Sequence, residues 1–158
     1  MNKKKIYIDT SVISHLKADD VPEKMKDTLE LWRELETGKY DVIISDITIE
    51  ELSMCPEPKK NILFSYLEKL NFINLEETED SLNLADDYIK LGVLSSKSKD
   101  DCRHIALATV SDCELIVSWN FKHFVNLKTI NKVQAVNKLF GFKEVLILPP
   151  SMILEGDE

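Results

Sequence analysis

The chain of 158 residues is poor in the residues that build stapled, fibrous or membrane-spanning scaffolds. Glycine and proline number four and five, too few for a collagen-like or linker-like chain. The three cysteines, Cys55, Cys102 and Cys113, are odd in number and have no C-x-x-C spacing. They exclude a disulfide framework and a zinc knuckle, and read as reduced thiols in a cytoplasmic protein. Apolar runs fall short of the roughly 20 residues of a membrane span, so no membrane partner is expected. The basic start, Met1-Asn2-Lys3-Lys4-Lys5, leads into an apolar stretch that Asp9 breaks at once, which excludes a signal-peptide core. Basic residues are the minority, 20 Lys and Arg against 28 Asp and Glu, for a formal net charge of −8. Taken as a total, that charge argues against a phosphate-rich partner.

What is present is an ordinary globular composition, 44% apolar and 30% charged, in a chain long enough for one buried core. Short apolar runs alternate with segments of helical period. Ile6-Tyr7-Ile8, Tyr40–Ser45, Asn71–Leu75, Leu115–Trp119 and Val145–Leu148 have strand length, the last closed by Pro149-Pro150. Between them Met25, Leu29 and Trp32 repeat at i, i+4, i+7, as do Leu63, Leu67 and Leu70, and Leu84, Tyr88 and Leu91. Ile130, Val133, Val136 and Phe140 continue that pattern, and Ser81 precedes one run where a helix N-cap is useful. The alternation predicts a three-layer α/β sandwich with a parallel sheet of about five strands. One domain is expected over residues 1–150, followed by a short acidic tail, 151–158.

In such a sheet ligands gather beyond the carboxyl ends of the strands. Asp9 follows Ile6-Tyr7-Ile8, and Asn120 follows Leu115–Trp119. Glu50 and Glu51 lie just past the second strand, and Asp100 and Asp101 open a segment whose small apolar residues suit a buried helix. Neighbours on a helix point about 100° apart, so one of each acidic pair faces solvent or caps the helix. Converging carboxylates repel unless a cation neutralises them, and oxygen donors with few histidines suit Mg²⁺ or Mn²⁺. The chemistry this implies is metal-assisted phosphodiester hydrolysis.

Those same residues resemble the motifs of the PIN-domain family. Ile6-Tyr7-Ile8-Asp9-Thr10-Ser11-Val12-Ile13-Ser14 is similar to its opening motif, and Ser45–Leu52 to its second, with Glu51 as the acid before the last aliphatic residue. Asp101-Cys102-Arg103-His104-Ile105-Ala106 resembles the third motif and selects Asp101 over Asp100. Ile116–His123 resembles the fourth, in the variant Thr-Trp-Asn-x-x-His, with Ser118 where Thr is usual. The resemblance implies a Mg²⁺- or Mn²⁺-dependent ribonuclease, of the kind found as VapC-type toxins of type II toxin–antitoxin pairs. It makes Asp9, Glu51 and Asp101 the acidic ligands and brings Thr10 or Ser11 to a metal-bound water. Asn120 stands at the fourth acidic position, where it offers a carbonyl oxygen without charge and so favours a single metal. His104 is expected to orient a carboxylate, to touch substrate, or to be a satisfied, partly buried histidine, and Lys122 and His123 either to meet phosphate or to be solvated.

The charge is unevenly placed. Residues 1–95 hold 12 basic and 20 acidic side chains, whereas residues 96–144 hold 8 and 5. From Leu115 to Lys143 there is no acid, while Lys122, Lys128, Lys132, Lys138 and Lys143 are present. A basic flank beside the carboxylates can hold phosphate even on an acidic protein; an ordinary solvated helix face explains the same lysines. The resemblance also implies an antitoxin or homodimer surface on the early helix, Val21–Thr37, which core packing alone also explains. Two other readings compete: a non-catalytic PIN-like module that binds RNA or a protein, and a phosphoacceptor receiver domain. The second needs a paired acid at the first strand and a lysine after the last; Asp9 stands alone and Leu148 is followed by two prolines.

Overall fold

Consecutive apolar residues can all be buried in a strand only when the sheet is covered on both faces. The computed structural model, which describes residues 3–155, places Ile6, Tyr7 and Ile8 of β1 (Lys5–Ile8) fully out of solvent. Ile6 and Ile8 enter one core and Tyr7 the other, as the two-residue strand period requires. β2 (Asp41–Ser45), β3 (Ile73–Leu75), β4 (Leu115–Val117) and β5 (Leu146–Leu148) complete a parallel sheet in the order β3-β2-β1-β4-β5. All five coincide with the apolar runs of the sequence.

Eight helices lie among the described residues. α1 (Thr10–Ser14), α2 (Pro22–Glu36), α3 (Asp46–Ser53) and α4 (Lys59–Glu68) precede β3 or flank it, followed by α5 (Glu79–Lys90), α6 (Lys99–Val110), α7 (Leu127–Leu139) and α8 (Pro150–Glu155). α5, α6 and α7 cover the Tyr7 face, with Tyr88, Ile105 and Val133 in its core. α1, α2, α4 and α8 cover the other, with Ile13, Trp32, Leu63 and Ile153 inside. The result is the three-layer sandwich expected from the alternation. None of these helices is long and apolar enough to cross a membrane.

The helix starts follow local chemistry. Pro22 opens α2, where its missing N–H costs nothing. Ser45 caps α3 and Asn126 caps α7, each accepting a backbone N–H three residues on. Ser81 is not the cap of α5: Thr78 is, and the hydroxyl of Ser81 at the third helical position accepts from the Thr78 N–H, closing a capping box. Part of the expected acidic tail is helical. Residues Pro150–Glu155 form a helix, and Ile153 is buried against α2 and β1 residues because an apolar side chain three residues past Pro150 faces inward. Residues 156–158 of the expected tail lie outside the described ones.

The strand order fixes where the site can be. From β1 the chain runs outward through β2 and β3, then crosses to β4 on the other side of β1. Beyond the carboxyl ends of β1 and β4 the loops diverge and leave a crevice, lined by Asp9 and by Ser118–Asn120. Ile116 on interior strand β4 has no exposure, whereas Ile73 on edge strand β3 is about half exposed. Ile116→Ala should therefore lower the unfolding free energy by about 2–5 kcal/mol in urea titration, and Ile73→Ala by less than about 1 kcal/mol.

Candidate active site

Asp9 is the residue that joins the two central strands. Its carboxylate is 3% exposed. Oδ1 accepts from the Ser11 hydroxyl at 2.6 Å and from the Val12 N–H at 3.1 Å, which makes Asp9 the N-cap of α1 as well. Oδ2 accepts from the Ser118 hydroxyl at 2.6 Å. Each hydroxyl is itself oriented by a backbone amide, Ser11 by the Trp119 N–H and Ser118 by the Asn120 N–H, both at 2.9 Å. Burial pushes the Asp9 carboxyl above its ordinary range, against the opposing pull of Ser11 and Ser118.

Glu51 rises from the second turn of α3. Its Oε1 accepts from Thr10 Oγ1 at 2.9 Å and meets His104 Nε2 at 2.5 Å. Glu50, one position earlier, is exposed. Behind Glu51 runs a buried polar chain: His104 Nδ1 to the Tyr7 hydroxyl at 2.6 Å, and that hydroxyl to Ser45 Oγ at 2.6 Å. One direction of donation satisfies every member. Ser45 donates to Tyr7, Tyr7 to Nδ1, and Nε2–H to Glu51, while Ser45 accepts from the Thr48 N–H. Burial would raise the Glu51 carboxyl, but the hydrogen bond from His104, with Thr10 and the Arg103 charge, holds it below its ordinary range.

Asp101 and Asp100 part as α6 begins. Asp100 is exposed and pairs with Arg103, which also holds Glu77. Asp101 faces the crevice, and its Oδ2 accepts from His123 Nδ1 at 2.8 Å. Burial raises the Asp101 carboxyl, with His123 opposing. Asn120 Oδ1 accepts from the His123 N–H at 2.9 Å and folds the loop. Thr10 and Ser11 likewise orient carboxylates.

The crevice thus assembles Asp9, Glu51, Asp101, Asn120, His104 and His123 from four separate segments. Lys122 is exposed beside it and, with His123, Lys128 and Lys132, lines a cleft of about 510 Å³ between α7 and the turn after α5. Tyr7 and Ser45 were not picked out from the sequence, nor was Ser118 as a partner of Asp9. A tyrosine inside an otherwise aliphatic strand, at the position facing the helix that carries Asp101, was the available signal for the first. Among the described residues, no hydrogen bond joins a lysine or arginine to Asp9, Glu51 or Asp101, and no three His, Cys, Asp or Glu side chains are grouped closely enough to enclose a metal ion.

The PIN-domain family model matches residues 6–124, a span that includes all of these segments. The chain belongs to the PIN-domain family. Two solved structures share the fold of this PIN domain. One is a chain of VapBC2 from Rickettsia felis, solved bound to a DNA fragment from its promoter, at 11% identity and a TM-score of 0.56, covering 92% of this chain and 98% of that one. The other is VapC20 from Mycobacterium tuberculosis, a sarcin–ricin loop cleaving toxin, at 16% identity and a TM-score of 0.58, covering 89% and 98%. No curated protein matches the sequence.

The opposite displacements of Asp9 and Glu51 in this PIN domain have opposite consequences for stability. Asp9 is raised, so the folded state holds its proton more tightly than the unfolded chain, and ionisation at neutral pH weakens the fold. Glu51 is lowered, so its contribution is present above the unfolded value and lost as pH falls through the folded one. In EDTA, raising the pH from about 4 to about 8 should raise the urea midpoint of Asp9→Asn relative to wild type and lower that of Glu51→Gln; the opposite trend in either would contradict this assignment.

Proposed function

We propose that this PIN domain is a Mg²⁺- or Mn²⁺-dependent endoribonuclease acting as the toxin of a type II toxin–antitoxin pair. The observation that carries the reading is that Asp9, Glu51 and Asp101 line one crevice at the ends of β1 and β4 and, among the described residues, none of them is hydrogen-bonded to a lysine or arginine. The donor set is hard oxygen throughout, and Asp9 has only uncharged donors around it, which is the chemistry of a site for a divalent cation. Asp9, Glu51 and Asp101 would hold the ion, with Glu51 and Asp101 sharing their oxygens between it and His104 and His123. When bound, such an ion lowers the pKa of water and stabilises charge on a phosphodiester.

The chain's own groups have separable tasks. Ser11 and Ser118 lock the Asp9 carboxylate in one rotamer by holding both oxygens. The Ser45–Tyr7–His104 chain fixes Glu51 from behind, so its position does not depend on an exposed side chain. Lys122, Lys128 and Lys132 line the neighbouring cleft and can hold phosphates along a strand. The likeness to a sarcin–ricin loop cleaving toxin supports RNA as the substrate class, and its description as a toxin supports the toxin reading.

The non-catalytic alternative, a PIN module that binds RNA or protein, draws on the same geometry. Glu51 and Asp101 are each engaged by a histidine, and the fourth acidic position is Asn120. Cleavage of RNA decides between the two. The wild-type protein should cleave RNA with Mn²⁺ or Mg²⁺ and stop on EDTA, and Asp9→Asn or Asp101→Asn should lower the rate more than about 100-fold without loss of fold. Binding without cleavage in every metal would establish the module, and cleavage that persists in EDTA would overturn the metal mechanism.

A further inference from the structure

The loop after β4 carries an aromatic ring that neither core uses. Trp119 in this loop is structural: it is 7% exposed, and its Nε1 donates to Thr28 Oγ1 at 2.8 Å. Phe121 is different, being 47% exposed and absent from both cores. Its ring lies 6.3 Å from that of Trp119 at an interplanar angle of 53°. Lys24, in the first turn of α2, sets its ammonium 5.3 Å from the centre of Phe121 and 5.5 Å from that of Trp119, within the range of a cation–π contact.

Position gives this cluster its meaning. Phe121 follows Asn120 and stands three residues after Ser118, the partner of Asp9. It reaches toward α2, on one side of the sheet, whereas Lys122 lines the lysine cleft against α5 and α7 on the other. Consecutive residues therefore flank the carboxylates with an exposed ring on one side and a phosphate-binding cleft on the other. We propose that Phe121, with Lys24 beside it, is a stacking platform for an unpaired nucleobase of the RNA strand next to the scissile phosphate. The proposal rests on the ribonuclease reading above.

An exposed ring already held by Trp119 and Lys24 loses little freedom when a base stacks on it. Base–aromatic stacking is indifferent to sequence, because every base has a π-face. It does require that the base be unstacked from its neighbours, so the platform favours single-stranded RNA, loops and ends over continuous duplex. The Lys24 ammonium can meet a phosphate of the stacked nucleotide while it remains over the ring.

The test uses the full chain in an Asp101→Asn background that does not cleave. Its probe is a fluorescein-labelled, unstructured single-stranded RNA, free or annealed to its complement, read by fluorescence anisotropy. Phe121→Ala should weaken single-strand binding about 5- to 100-fold, the loss of one base–aromatic stack. Phe121→Trp should restore it, and the duplex should bind Phe121→Ala and its parent alike. Because the ring is exposed, circular dichroism of the two variants should match the parent. Equal single-strand binding by Phe121→Ala and its parent overturns the platform while leaving the ribonuclease reading intact. A parent that binds no RNA, together with a wild type that cleaves none, overturns both.

Discussion

Burying a carboxylate is costly unless something neutralises it or neutral donors hold it. Asp9 is that carboxylate here, and much of the centre of the molecule is arranged around it. It ends β1, caps α1, and is tied to the end of β4 through Ser118. Both hydroxyls that hold it are pinned by amides of the β4 loop. The same contacts that close the fold between β1 and β4 therefore leave a carboxyl group held only by uncharged donors at the point where the strand order diverges.

Glu51 and Asp101 face the same crevice but solve the charge problem differently, each against a histidine. His104 is tied to the sheet through Tyr7, so it holds Glu51 rigidly; His123 belongs to the loop that Asn120 folds. The site is thus built with one rigid acid from each of β1 and α3 and a third from α6 whose partner rides on a loop. Arginine and lysine stay at the periphery, in the Arg103–Glu77–Asp100 group and in the cleft lined by Lys122, Lys128 and Lys132. That separation explains how a protein with a net charge of −8 can carry a basic flank.

The sheet was legible because its strands are short apolar runs ending in Asp9, Ser45 and Asn120, and fully buried parallel strands leave that pattern. The positions of Asp9, Glu51 and Asp101 followed from strand ends and motif spacing. Residue partners did not. Nothing in the spacing distinguishes Asn120 as a ligand from Asn120 as the fold of its own loop, because both use the same carbonyl oxygen. The Ser45–Tyr7–His104 chain joins residues up to 97 apart, and only the packed α6 brings them together. The helix after Pro150 was missed because a short acidic ending obscures the single apolar side chain, Ile153, that anchors it.

The central claim is that the Asp9 carboxylate belongs to a divalent-cation site. Isothermal titration of Mn²⁺ into metal-free protein, with Asp9→Asn as the control, addresses it without reference to any substrate. The account predicts saturable binding by the wild type that is lost or greatly weakened in Asp9→Asn. Equal heats from the two proteins, whether strong or absent, would contradict it.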